Sequence, residues 1–212
     1  MRFWKSQTWT YIQKNLKFSE KKILPDKKDI FNPLLYTPFN RVKVVVLNEE
    51  PYCHPQDCPD GLAFSSRSFK YPRNLCNIFA ELQQDLNVPW PSTGGLRYWA
   101  KQGVLLLNAT WTVEEQDPYS HVDLGWFVLT KEILQSLVKS NPGIVFLFVG
   151  SKTHSWSSLL PDDSVIIKSG APFGEECKDW FNFKPFSKIN KCLIGSKVRP
   201  IDWKLIDLKK TS

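Results

Sequence analysis

The sequence has no run of about eighteen uninterrupted apolar residues and no apolar core in its opening stretch MRFWKSQTW, which excludes a membrane-spanning helix and a secretory signal of ordinary form. A soluble, intracellular protein without a membrane partner is expected. The five cysteines, Cys53, Cys58, Cys76, Cys177 and Cys192, are odd in number and form no repeated CxxC, which speaks against a disulfide framework and a structural zinc site. Cys53, His54 and Cys58 stand close together, but no fourth ligand follows at a suitable spacing, so a loop of reduced thiols is the simpler reading and no metal is expected. There is also no internal repeat, no low-complexity linker and no sign of a cofactor motif. What the chain does have is apolar bulk. Its 212 residues are 42% hydrophobic and 14% aromatic, with nine tryptophans, enough for a sizeable core. A single domain over residues 1–212 is expected.

Charge is unevenly spread. The total is +7, but residues 1–30 carry +5 and residues 178–212 carry +6, which leaves −4 for the stretch between. A nucleic-acid binder should place its basic surplus where phosphates lie. Here Glu49, Glu50, Asp57 and Asp60 crowd one loop, and Glu175 and Glu176 another. Such a mouth is expected to weaken DNA binding.

Periodicity defines the scaffold. Val42 and Val44–Leu47, Val104–Leu107, Ile144–Val149 and Ser164–Ile167 are short, nearly continuous apolar runs, the pattern of strands buried on both faces. Between them, Leu75–Leu86 and Gly125–Lys139 show helical spacing, as crossover helices between parallel strands should. The N-terminal 40 residues add a partly helical stretch with Trp4, Trp9, Ile12 and Leu16, then a proline-punctuated segment that wraps the sheet edge. These elements predict an α/β protein, three layers α/β/α around a central four-stranded parallel sheet. In such sheets ligands bind beyond the carboxyl ends of the strands. The polar loop that starts at Asn48 leaves the sheet at that edge.

That loop carries a resemblance. VVLNEEPYCHP followed by GLAFS resembles the first motif of the family 1 uracil-DNA glycosylases, whose usual form is GQDPYHGP and then GLAFS. Further blocks match in order: WAKQGVLLLNA at 99–109, SHVDLGW at 120–126, VFLFVGS at 145–151, PFSKIN at 185–190 and PIDWKLI at 200–206. The resemblance implies a three-layer α/β/α fold, hydrolysis without a cofactor, and a pocket that receives a base rotated out of DNA. It implies that Phe64 stacks on the base, that the Asn108 amide reads the pyrimidine edge, and that Tyr52 occupies the space of a thymine methyl, with Glu49 beside them. Arg73, Gly150 and Ser151 fall at positions that contact DNA, and Phe173 at that of the residue that wedges into the duplex.

Three positions depart from the pattern. Glu50 stands where the family has its catalytic aspartate, and a shift of about one ångström can cost about 100-fold. KSGAPFGEE at 168–176 replaces HPSPLS, so the family histidine is absent near Ser169, and loss of one such donor typically costs about 100- to 1000-fold. Cys53 also replaces the histidine of PYH. These departures predict a glycosylase-fold protein with catalysis lost or strongly reduced, a pseudoenzyme that acts by binding uracil-containing or single-stranded DNA or as a protein-interaction scaffold. The alternative is a divergent active uracil-DNA glycosylase of base excision repair, with Glu50 as its carboxylate and backbone amides near Ser169 in place of the histidine. In a eukaryotic or viral setting, nuclear residence would follow.

Overall fold

A computed structural model describes residues 7–18 and 20–205. Among the described residues six strands form, β1 (Ile23–Leu24), β2 (Val44–Asn48), β3 (Val104–Asn108), β4 (Val113–Glu114), β5 (Val145–Val149) and β6 (Val165–Ser169). Four of them build one parallel sheet in the order β3-β2-β5-β6. The expected strand runs therefore hold, displaced by a residue or two at their ends. β2 is central, and its side chains alternate between the two faces: Val44 and Val46 enter one core cluster, Val45 and Leu47 the other. Neighbouring strands repeat the alternation, with Val145, Leu147 and Val149 on the first face and Phe146 and Phe148 on the second. Burial on both faces accounts for the continuous apolar runs in the sequence.

The helices are α1 (Gln7–Phe18), α2 (Asn32–Tyr36), α3 (Arg73–Leu86), α4 (Arg97–Lys101), α5 (Trp126–Ser140), α6 (Ser151–His154), α7 (Cys177–Trp180) and α8 (Pro185–Gly195). α3 and α8 cover one face through Leu75, Phe79, Leu82, Phe186 and Ile189. α1 and α5 cover the other through Ile12, Trp126, Leu129 and Ile133. This is the expected three-layer arrangement. Trp4, placed in the N-terminal helix by its spacing, lies outside the described residues. The wrapping segment gains a short antiparallel pairing of β1 with β4, through Ile23↔Glu114 and Leu24↔Val113, too brief to leave a periodic signal.

Two connections explain how the chain end reaches the sheet. Glu81 on α3 is fully buried, and its two oxygens accept the backbone N–H groups of Asn182 and Lys184, both at 2.8 Å. Asn182 and Lys184 hold left-handed backbone at φ 62° and 56°, so the carboxylate pins a bent turn immediately before α8. Asn190 on α8 then holds Ile201 through both its amide atoms, which returns the chain toward Trp99.

Replacement of Glu81 by Ala leaves two backbone donors without partners in the interior. The expected loss is about 3 kcal/mol, seen as a melting temperature lower by about 6–12 °C in a thermal unfolding series.

Candidate functional site

β2 and β5 are neighbours, yet the chain runs from β2 toward β3 on one side and from β5 toward β6 on the other. Their carboxyl ends therefore open a crevice at the point where the connections diverge. A cavity of about 300 Å³ lies there, lined by residues that include Asn48, Glu49, Glu50, Tyr52, Phe64, Arg73, Tyr119 and Phe173. Six residues singled out in the sequence thus meet in one cavity. Asn108 is not among the lining residues; it ends the neighbouring strand in register with Asn48, which donates to its Oδ1 at 2.9 Å.

The GLAFS turn is built by the N-terminal wrapping segment. Gly61 has φ +90°, and a Cβ there would meet the Asp29 carbonyl oxygen at 2.0 Å, so only glycine fits. Asp29 accepts both guanidinium arms of Arg67 at 2.6 and 2.8 Å. Asn32 bridges Asp29 and the Asp60 carbonyl at 2.9 and 2.7 Å. The Asp60 carboxylate in turn accepts the Ser65 hydroxyl and the Leu62 N–H. Within this frame Phe64 adopts φ +63°, an unfavourable backbone for a bulky residue that the surrounding bonds enforce. The Tyr52 hydroxyl donates to the Phe64 carbonyl at 3.0 Å, which ties the two aromatic walls together. Burial pushes the Tyr52 phenol well above its ordinary pKa, so it stays a neutral donor.

Glu50 follows the end of β2. Burial pushes its carboxyl up to about 7, against the lowering effect of the Tyr119 N–H, which donates to Oε2 at 2.8 Å. Glu49 adds a smaller upward push by charge repulsion. Glu49 itself is paired with Lys152 at 3.0 Å across the crevice, and Lys152 also lies 3.7 Å from the centre of the Tyr119 ring. The Tyr119 loop is anchored from below. Trp126 donates to the Thr112 hydroxyl at 2.7 Å, Thr112 meets His121 Nδ1 at 2.9 Å, and Gln116 N–H reaches the Cys53 carbonyl at 2.8 Å. Burial lowers the His121 pKa, and the ring serves this scaffold.

The acidic mouth expected from the sequence is present in part, with Glu50 and Asp57 in the cavity lining, while three other carboxylates are engaged within the protein. Asp60 is buried and internally bonded, Glu49 is held by Lys152, and Glu176 accepts the Ser151 N–H at 2.9 Å, the Ser151 hydroxyl, and the Ala171 N–H at 3.3 Å. Ser151 holds the Glu176 carboxyl below its usual pKa. Gly150 and Ser151 lie at the end of β5, outside the cavity lining. Ser169 ends β6 with its side chain buried and its Oγ without a partner, and residues 169–172 do not line the cavity. His154, given no part in the sequence reading, meets the Ser169 carbonyl at 2.9 Å and steadies that strand end.

Among the cavity and its supports, Asn48, Tyr119 and Lys152 were not singled out in the sequence. Asn48 aligns with a glycine of the resembled motif, and that departure is the signal by which it could have been found. Tyr119 and Lys152 gave no local signal, since their roles arise from the crevice between distant loops. Among the described residues no three His, Cys, Asp or Glu side chains gather as a metal set, and no helix is long and apolar enough to cross a membrane.

With this geometry in view, the relatives are informative. A uracil-DNA glycosylase of Coxiella burnetii is 42% identical over 204 residues, 92% of this chain and 89% of its own length. One from Clostridium beijerinckii is 40% identical over 191 residues, 89% of this chain and 84% of its own length. Among solved structures, a mimivirus uracil-DNA glycosylase superposes with a TM-score of 0.82 over 95% of this chain and 83% of its own, at 21% identity. A variant of the mimivirus protein in complex with UGI gives 0.79 over 94% of this chain and 89% of its own, also at 21% identity. No family model matches the chain. The protein belongs to the uracil-DNA glycosylase family.

This finding overturns the expectation of a pseudoenzyme that acts only by binding. Relatives at about 40% identity over nine-tenths of the chain carry the name of the active enzyme. The expectation rested on the lengthened Glu50 and on the histidine absent near Ser169; the structure bears on the first, since the main chain and the Tyr119 N–H set where the carboxylate lies and it lines the cavity, and the position near Ser169 remains without a histidine. The relatives at about 40% identity are bacterial, so they lend no support to nuclear residence.

Glu50 has a folded pKa of about 7 against an ordinary 4.5. The folded state therefore binds more protons between these values, and this group's contribution to stability falls as pH rises through that window. Glu50→Gln is expected to raise the melting temperature at pH 8 by about 2–4 °C, on the order of 1 kcal/mol after solvent screening. At pH 4, where Glu50 is protonated, the gain should vanish; calorimetry at the two pH values checks this.

Proposed function

We propose that the protein is an active uracil-DNA glycosylase that hydrolyses the bond between uracil and deoxyribose in DNA, with Glu50 as its catalytic carboxylate. The observation that carries the reading is the Glu50 carboxylate, half-buried and fixed by a backbone N–H, in the same cavity as the Tyr52 and Phe64 rings. Family membership supports it.

In this reading uracil leaves the duplex and enters the cavity, stacked on Phe64 and bounded by Tyr52. The bond between the base nitrogen and C1′ breaks as a cationic sugar develops, and an ionised Glu50 stabilises that charge at short range in a partly desolvated site. Glu50 also accepts a proton from the water that attacks C1′, while the base departs with the bonding electron pair and is protonated from solvent. A carboxylate that titrates near neutrality is a stronger base than an ordinary one and still substantially ionised at pH 7. Arg73 and Phe173 at the cavity mouth are suited to a phosphate and to the gap left in the base stack.

Gly150 and Ser151 offer a further phosphate contact once Glu176 gives way. Glu176→Gln is expected to tighten binding to a plain duplex several-fold, in a fluorescence anisotropy titration at low salt, because a repelling charge beside the backbone is removed.

The direct test is uracil release from a single-stranded uracil oligonucleotide by protein purified from a glycosylase-deficient host. Release is expected, and kcat/KM should rise with pH to a plateau with an apparent pKa near 7, because the ionised form acts. Glu50→Gln should lower kcat by about 100-fold or more and abolish that rising limb. Unchanged release by Glu50→Gln would remove Glu50 from the mechanism.

A further inference from the structure

Asn48 and Asn108 end adjacent parallel strands in direct register. The two residues are 8% and 3% exposed, and their side chains are bonded to each other. The hydrogen-bond chemistry of the pair leaves no freedom in how the amides face. Asn48 lies 2.7 Å from the Glu50 carbonyl oxygen, which can only accept, so the Asn48 NH2 must point there. The second hydrogen of that NH2 goes to Asn108 at 2.9 Å, so Asn108 must turn its Oδ1 toward Asn48. Two amide atoms are then left for a ligand, the Asn48 Oδ1 as an acceptor and the Asn108 Nδ2 as a donor. Neither is among the sealed, unpartnered atoms of the interior, and Asn48 itself lines the cavity.

We propose that Asn48 is a second base-reading residue, which fixes the Asn108 amide and, with it, presents one acceptor and one donor to the imide edge of uracil. The inference rests on the glycosylase reading and deepens it. Uracil carries an N3–H donor flanked by two carbonyl acceptors, so an adjacent acceptor and donor on the protein satisfy N3–H and one carbonyl together. The bond from Asn48 to the Glu50 carbonyl adds a mechanical consequence: the residue that reads the base also holds the main chain from which the carboxylate projects. With glycine at position 48, as in the motif the chain resembles, a single amide would have to accept and donate unaided, with its orientation set only when the base arrives.

Free uracil and N3-methyluracil are the probes, titrated by ligand-observed NMR against the parent chain, Asn48→Ala and Asn48→Gly. Loss of the Asn48 acceptor is expected to weaken uracil about tenfold in both variants and to weaken N3-methyluracil much less, since its methyl removes the donor that Asn48 would accept. Thermal melts establish that the variants fold, and Asn48→Gly keeps the inference testable if Asn48→Ala does not. Uracil affinity that stays the same or rises on substitution would overturn the proposal and make Asn48 a plug in the pocket. An equal loss for both ligands would overturn it too, by reducing Asn48 to a structural support. The glycosylase reading fails separately, through absence of uracil release by the parent chain, an outcome that leaves the NMR comparison intact.

Discussion

A carboxylate placed partly out of water at the end of a buried strand is the constraint on which the rest of this structure depends. Glu50 must remain ionisable while burial drives its pKa toward neutrality. The surrounding parts temper that conflict without removing it. The Tyr119 N–H donates to the carboxylate, and Lys152 neutralises the adjacent Glu49 so that only one of two neighbouring charges is left unpaired. The loop that supplies Tyr119 is in turn fixed by the Thr112, His121 and Trp126 bonds, deep in the face of the sheet covered by α5. A polar site at the rim is thus held in position by the apolar layer beneath it.

The cavity walls follow a similar logic. Phe64 sits on unfavourable backbone, and the turn that carries it persists because Arg67, Asp29, Asn32 and Asp60 form a closed set of bonds around Gly61. Phe64 lines the cavity, and strain of this kind, compensated by a rigid frame behind it, is a common property of binding sites. The frame comes from the N-terminal segment that wraps the sheet edge, so residues remote in sequence decide the position of one wall.

Much of the fold was legible in the sequence because burial on both faces of a parallel strand leaves a continuous apolar run. β2, β3, β5 and β6 and the helices α3 and α5 followed from that signal and from helical spacing. β1 and β4 were not visible, since two residues each cannot show a period. Of the site, the residues of short motifs, Glu50, Tyr52 and Phe64, could be named, and they meet in the cavity. Tyr119 and Lys152 could not, because they act through contacts between loops about a hundred residues apart from end to end. The formal charges are distributed in a way a count does not show: Glu49 is paired with Lys152 and Asp60 is buried and bonded inside the protein, whereas Glu176 keeps its charge beside Ser151. Counting lost catalytic groups from the motifs misled, since the count held no information on where the Glu50 carboxylate lies.

The central claim is that Glu50 combines its raised pKa with the catalytic role, and one measurement addresses both halves. The side-chain carboxyl of Glu50, followed by carbon-13 NMR across a pH titration, should show a midpoint near 7 that coincides with the midpoint of the pH dependence of uracil release. A midpoint near the ordinary 4.5, or a pH–rate profile that ignores the titration of this residue, would contradict the account.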